Sequence, residues 1–289
     1  MGWQGNWSSS RFLPMRNDLE RRNVNSLVGL YHLIFSVWRG ISNTNTMEVD
    51  VLFLIVLFII AIMYASVGHG GASGYLALMA LFGISTVYIR SSALLLNLCV
   101  SAVSFYAFYR AGHFKLGLLL PFIFGSIPMA FIGARISIDP QVYKIILGIF
   151  LVIAVARMMY KPKKQGNEII PFNFIIAAFI GMVLGFFSGL IGIGGGIILS
   201  PLLLLLGWAN VKETAAISAL FIFLNSTAGI LGLFSVGISF SPNVLIWVIV
   251  ASVGGLLGAY SGSFKLSVLK LRYLLAFVLL LASIKLLLA

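Results

Sequence analysis

Hydrophobic positions in this chain do not alternate, and they do not recur on one helical face. They fill whole segments. Ten apolar runs follow a polar beginning, at roughly 50–67, 71–86, 88–109, 115–136 and 141–160, then 172–190, 194–209, 213–236, 242–263 and 267–288. Apolar runs of about 18 residues or more read as transmembrane helices. Residues 51–89, 169–211 and 214–264 contain no Asp, Glu, Lys or Arg. The pattern predicts an all-α polytopic membrane protein.

Two places break the pattern. Residues 67–75 read VGHGGASGY and residues 189–201 read GLIGIGGGIILSP. Glycine weakens a helix interior by about 1 kcal/mol relative to alanine. The segments that begin at the breaks, 71–86 and 194–209, are short for a full crossing, at roughly 24 Å. A helix that starts inside a bilayer exposes unpaired N–H groups and a partial positive charge. That is an anion site made without a charged side chain. Its candidate backbone donors are Gly68, Gly70 and Gly71 in the first break, and Gly192, Gly194, Gly195 and Gly196 in the second. The competing reading is close helix packing, which suits isolated glycines.

The two breaks occupy equivalent places. Gly68, Gly70, Gly71 and Gly83 recur 124 residues later as Gly192, Gly194, Gly195 and Gly207, and Gly133-Ala134 recurs at 125 as Gly258-Ala259. The expected organisation is a leader of uncertain status (1–46), membrane repeat 1 (47–160), a cytoplasmic linker KPKKQGNEIIP (161–171) and membrane repeat 2 (172–289). Five segments per half is an odd number, so the second half enters from the opposite side. Whether the helix pairs at the glycine breaks cross fully or are re-entrant, the parity is the same. The result is two inverted five-segment repeats with broken or re-entrant first helix pairs. With the linker inside, Arg110, Lys115, Arg157, Lys212, Lys265, Lys270 and Arg272 join it on the cytoplasmic side, as the positive-inside rule prefers. Within the leader, residues 24–38 fit an extra crossing, an interfacial helix or a signal sequence, and Met47 offers an alternative start.

Polar side chains near the breaks are few. His69 lies inside the first glycine cluster, where it can donate to an anion or carry a coupling proton. Ser73 and Ser188 offer hydroxyls. Asn97 and Asn225 sit deep in the third segment of each half, and Ser226 extends the second of these polar stripes. Buried amides need partners, and the stripes are expected to line the substrate path as side-chain donors. Arg90 and the Lys212-Glu213 pair stand where those segments begin, as anion attractors or as fixtures of helix ends.

Composition narrows the function. The chain is 61% hydrophobic and 9% charged, with a formal net charge of +12. The basic residues punctuate apolar segments and form no block, so nucleic acid is not the partner. Cys99 is the single cysteine, which excludes a disulfide framework. No acidic residue lies deep in a segment, which argues against a proton relay of embedded carboxylates. No metal-ligand spacing, Walker motif or nucleophile–base pairing is present, so no cofactor, no metal and no enzymatic activity are expected. The partners expected are the lipid bilayer and a small anion. A homodimer and a coupling proton or sodium ion are compatible with the sequence. An anion channel built on the same donors is the near alternative, and an intramembrane enzyme a poorer one.

The pairing of GHGGASG (68–74) with GIGGGIILSP (192–201), followed by ETAAISALFIFLNSTAGILGLFSVG (213–237), resembles the TauE/SafE family, the sulfite exporter or toluene-sulfonate uptake permeases. The resemblance covers residues 50–289. It implies a multi-pass bacterial-type inner-membrane permease, a secondary transporter for sulfite, sulfonates or related organosulfur anions.

Overall fold

The computed structural model describes residues 46–159 and 173–264, with positions 280, 283, 284 and 287 beyond them. The leader before Thr46, the linker 161–171 and most of the tenth expected segment lie outside the described residues. The chain divides into two units, Met1–Val51 and Leu52–Ala289, and every contact described below belongs to the second.

Among the described residues the regular elements are helices: α1 (Thr46–Ala65), α2 (Ala72–Leu81), α3 (Thr86–Arg110), α4 (Leu116–Arg135), α5 (Pro140–Met159), α6 (Phe174–Ile191), α7 (Gly196–Leu205), α8 (Val211–Phe234) and α9 (Val244–Phe264). Thr86–Arg110, Leu116–Arg135, Phe174–Ile191, Val211–Phe234 and Val244–Gly262 are long and apolar enough to cross a membrane. Large apolar side chains such as Phe124, Ile175, Leu245 and Ile249 are exposed on the outside. Such an exterior suits lipid and not water.

The two short helices differ in kind from the rest. α2 and α7 have ten residues each, about 15 Å, or half of a hydrocarbon layer of about 30 Å. α2 folds back along α1. Tyr64 Oη and Ser73 Oγ share a hydrogen bond of 2.6 Å, a Cβ on Gly74 would meet Ile60, and the rings of Phe53 and Phe82 meet edge to face at 5.3 Å. The hairpin thus turns the chain back along α1 as far as Phe53.

Glycine stripes set the packing of the long helices. On α6, Gly181, Gly185 and Gly189 rest on the carbonyls of Phe122, Ser126 and Ala130 of α4. Gly125 and Gly133 of α4 rest in turn on Ala178 and Phe186 of α6. On α9, Gly254 and Gly258 rest on the carbonyls of Phe58 and Ile62 of α1, and Gly262 on that of Ser66 just past its end. The spacing of four places each stripe on one helix face, and the missing side chains let backbones touch. A helix of the first half therefore packs on one of the second in both cases. Gly133 on Phe186 and Gly258 on Ile62 are the same contact at sequence offsets of 125 and 124.

α3 and α8 cross the centre side by side and run antiparallel. Leu94 meets Gly229 near one end. Phe108 clusters with Ala215 and Ala216 near the other.

Candidate functional site

The first turn of each short helix faces the middle of the long pair. Both helices are capped by a left-handed glycine, Gly71 (φ 97°) on α2 and Gly195 (φ 74°) on α7. That conformation costs any residue with a Cβ about 1–2 kcal/mol, which is why the chain turns here on glycine. A Cβ on Gly70 would lie 2.7 Å from Asn97 Oδ1 and 2.9 Å from Ile222 Cγ2. A Cβ on Gly194 would lie 2.8 Å from Asn97 Nδ2 and 2.9 Å from the same Ile222 methyl. The two loops, one from each half, thus close on one pair of residues. Asn97 is the twelfth residue of the 25-residue α3 and Ile222 the twelfth of the 24-residue α8, so the meeting point is at mid-height of both.

Around this point the backbone offers donors. The N–H groups of Gly70, Gly71, Gly194 and Gly195 reach no backbone carbonyl among the described residues. Side chains without partners gather there as well. Asn97 Oδ1, Tyr75 Oη, Ser188 Oγ and Ser226 Oγ are all buried and unpaired. Tyr75 Oη lies 2.6 Å from where a Cβ on Gly71 would sit, and Ser226 Oγ 3.4 Å from one on Gly194. Each buried polar atom left unsatisfied costs about 1–3 kcal/mol. These four stand on α2, α3, α6 and α8 around the two glycine loops, and such groups in a native structure call for an explanation.

His69 reaches across the halves. Its Nδ1–H donates to the Val67 carbonyl at 3.0 Å. In the neutral ring Nε2 then accepts from Ser200 Oγ of α7 at 2.9 Å, and Ser200 accepts from Ser218 of α8 at 2.7 Å. This ties the first loop to the second short helix.

The other residues singled out from the sequence divide into two groups. Gly196 packs on Ile222 and belongs to the same junction, whereas Gly192 packs on Arg90, about two helical turns of α3 away from Asn97. Ser73 is joined to Tyr64, and Asn225 is joined to Ser126 of α4 at 3.0 Å and to the Phe221 carbonyl at 2.8 Å. Ser73 is thus tied to α1 and Asn225 to α4, with Asn225 Oδ1 left unpaired. The sequence suggested that Asn97 and Asn225 donate into the site. Both hydrogens of the Asn225 NH2 are committed to protein acceptors, whereas Asn97 gives one to the Ile193 carbonyl at 3.2 Å and keeps the second beside Gly194. The residues that sequence reasoning missed, Tyr75, Ser200, Ser218 and Ile222, carry no local signal. Each is an ordinary helix residue whose partner lies elsewhere in the chain.

The two ends of the α3–α8 pair differ. At the start of α3 a cleft of about 360 Å³ is lined by Thr86, Arg90, Arg135, Tyr143, Leu233 and Ser239, among others. Arg90 spans its floor. It donates through Nε to Gly189 at 3.0 Å, through Nη1 to Ile136 at 3.2 Å and through Nη2 to Gly133 at 2.9 Å. Tyr143 Oη donates to Ile191 at 2.9 Å. Arg90 therefore fixes helix ends, the second of the two roles open to it from sequence. At the far end Lys115 Nζ meets Glu213 Oε1 at 2.7 Å, and Asn210 and Glu213 form a capping box on α8. Glu213 pairs with Lys115 and not with its neighbour Lys212, since adjacent residues on a helix do not face each other. No group of three or more metal-ligating side chains occurs among the described residues.

Comparison with known proteins gives a consistent picture. The profile of the family described as sulfite exporter TauE/SafE matches residues 52–286. The chain is 36% identical over 240 residues to a probable membrane transporter protein, y4hK, of Sinorhizobium fredii (strain NBRC 101917 / NGR234), covering 81% of this chain and 96% of that one. It is 31% identical over 150 residues to a probable membrane transporter protein, YunE, of Bacillus subtilis (strain 168), covering 45% of this chain and 54% of that one. No solved structure matches significantly. The apolar multi-helix architecture and the match over nearly all of residues 52–286 make this chain a multi-pass integral membrane protein of the sulfite exporter TauE/SafE family.

Proposed function

We propose that this protein is a secondary transporter for a small sulfur oxyanion of the sulfite or sulfonate type, which it binds at the N-termini of α2 and α7. The observation that carries the reading is the convergence of Gly70 and Gly194 on Asn97 and Ile222. Two half-helix N-termini at mid-depth suit an anionic group. The family description and the transporter relatives favour sulfur oxyanions as cargo.

Support for inverted repeats comes from the pairs that recur at offsets of 124 and 125, and from the antiparallel course of α3 and α8. Alternating access suits the asymmetry of the two ends, an open cleft at Arg90 and an ion pair at Lys115–Glu213. The two halves would rock about a fixed central site while one end opens and the other closes. The test is uptake and counterflow of radiolabelled sulfite by the protein in proteoliposomes. Saturable flux with trans-stimulation is the expected result. Sulfite flux no faster than in empty vesicles overturns the proposal.

A further inference from the structure

We propose that the transported species is a protonated monoanion, a hydrogen oxyanion of the hydrogen sulfite type, whose O–H donates to Asn97 Oδ1. The proposal rests on the transporter reading and names the cargo of that same site.

Asn97 is fully buried at the meeting point of the loops. Its orientation is fixed by chemistry. The Ile193 carbonyl is an acceptor and can face only the NH2 of the amide. Oδ1 is thereby turned to Gly70, where it has no donor. The site is then amphoteric. Backbone N–H groups of Gly70, Gly71, Gly194 and Gly195 suit the bare oxygens of an anion, and Asn97 Oδ1 requires a hydrogen. A fully deprotonated dianion would set a charged oxygen against that carbonyl. A sulfonate without a donor would leave it unsatisfied. A hydrogen oxyanion satisfies both kinds of group at once.

The proposal also gives a physical reason for the sparse acids. Asp139 and Glu213, the acidic residues after Asp50 among the described residues, both stand at helix N-termini. If the cargo brings its own proton, it travels with net charge minus one and needs no relay carboxylate at mid-depth.

The titratable groups around the loops are His69 on the first loop, Tyr64 at the end of α1, Tyr75 on α2 and Cys99 on α3, with Arg90 and Tyr143 at the cleft beyond Gly192. α7 and α8 present none to Asn97. A control ligand separates their titration from that of the cargo. The experiment is calorimetric binding to the full chain in nanodiscs, with sulfite, methanesulfonate and sulfate, from below to well above the second ionisation of sulfite. The apparent affinity for total sulfite is expected to fall about tenfold per pH unit above that ionisation. Methanesulfonate, a permanent monoanion without a donor, is expected to bind more weakly and with a flat profile, and sulfate more weakly still. In Asn97→Leu the preference for sulfite over methanesulfonate is expected to disappear. Sulfite affinity that is flat or rises with pH overturns the proposal, as does methanesulfonate binding equal to that of hydrogen sulfite. A dependence on sodium in place of pH also overturns it, and assigns Oδ1 to a cation. Failure of every anion to bind at any pH rejects the transporter reading itself, a result distinct from binding without a pH slope.

Discussion

Asn97 of α3 donates to the carbonyl of Ile193 at 3.2 Å, a contact between residues 96 positions apart. This bond joins the centre of one half of the protein to the glycine loop of the other. Both loops press on Asn97, so small changes there should act on binding more than on folding.

Gly194→Ala forces a left-handed backbone on a residue with a Cβ (φ 75°) and drives that carbon to 2.8 Å from Asn97. The strain is about 1–2 kcal/mol, and the loop must also shift away from the site. Anion affinity is expected to fall by at least about tenfold, which is 1.4 kcal/mol. Gly83→Ala is the control, since Gly83 has a similar positive φ (72°) but open space around it. It is expected to lose a similar amount of stability and to keep wild-type affinity. Titration of both variants by calorimetry checks this.

Arg90→Met removes three bonds to the carbonyls of Gly133, Ile136 and Gly189. Bonds to charged groups contribute about 1.5–3 kcal/mol each and do not simply add. A clearly lower melting temperature in detergent is expected, together with reduced transport. If Arg90 served only to attract anions, the melting temperature would hold and only the KM would rise.

Much of this architecture can be read from the sequence, because a bilayer demands long apolar runs and glycine marks the breaks. The expected segments 88–109 and 115–136 correspond to Thr86–Arg110 and Leu116–Arg135. The register between the halves is harder. An offset of 124 pairs Asn97 with Phe221, but the contacts pair it with Ile222. The connection from α7 to α8 (206–210) is one residue longer than that from α2 to α3 (82–85), which slips the long helices by one position. Contacts such as His69 with Ser200, and the direction in which Asn97 turns its amide, depend on tertiary packing and leave no mark on local sequence.

The Lys115–Glu213 pair stands at the end of the α3–α8 pair away from the cleft. Lys115 is half exposed, so the pair contributes little to stability, about 0.2–1 kcal/mol by a double-mutant cycle. Its effect should be on transport. Lys115→Glu is expected to slow counterflow by like-charge repulsion with Glu213. The exchange Lys115→Glu with Glu213→Lys is expected to restore much of the rate. Equal rates in all three proteins would remove the pair from the transport cycle.

Gly258 lies directly on the Ile62 carbonyl, with no room for a side chain. Gly258→Leu must separate α9 from α1, and a loss of more than about 4 kcal/mol is expected. The protein should fail to accumulate in folded form. Gly117→Ala, where the backbone is helical and a Cβ meets open space, should accumulate normally, as size-exclusion profiles of fluorescently tagged protein would report.

The most direct measurement is the position of a bound anion. Selenite replaces sulfite with a strong anomalous scatterer, so diffraction from crystals grown with it locates the ion without reference to the protein map. An anomalous peak between Gly70 and Gly194, within hydrogen-bond reach of their N–H groups and of Asn97, is the predicted result. A peak confined to the Arg90 cleft, with the glycine loops empty, would contradict a site made from two helix N-termini.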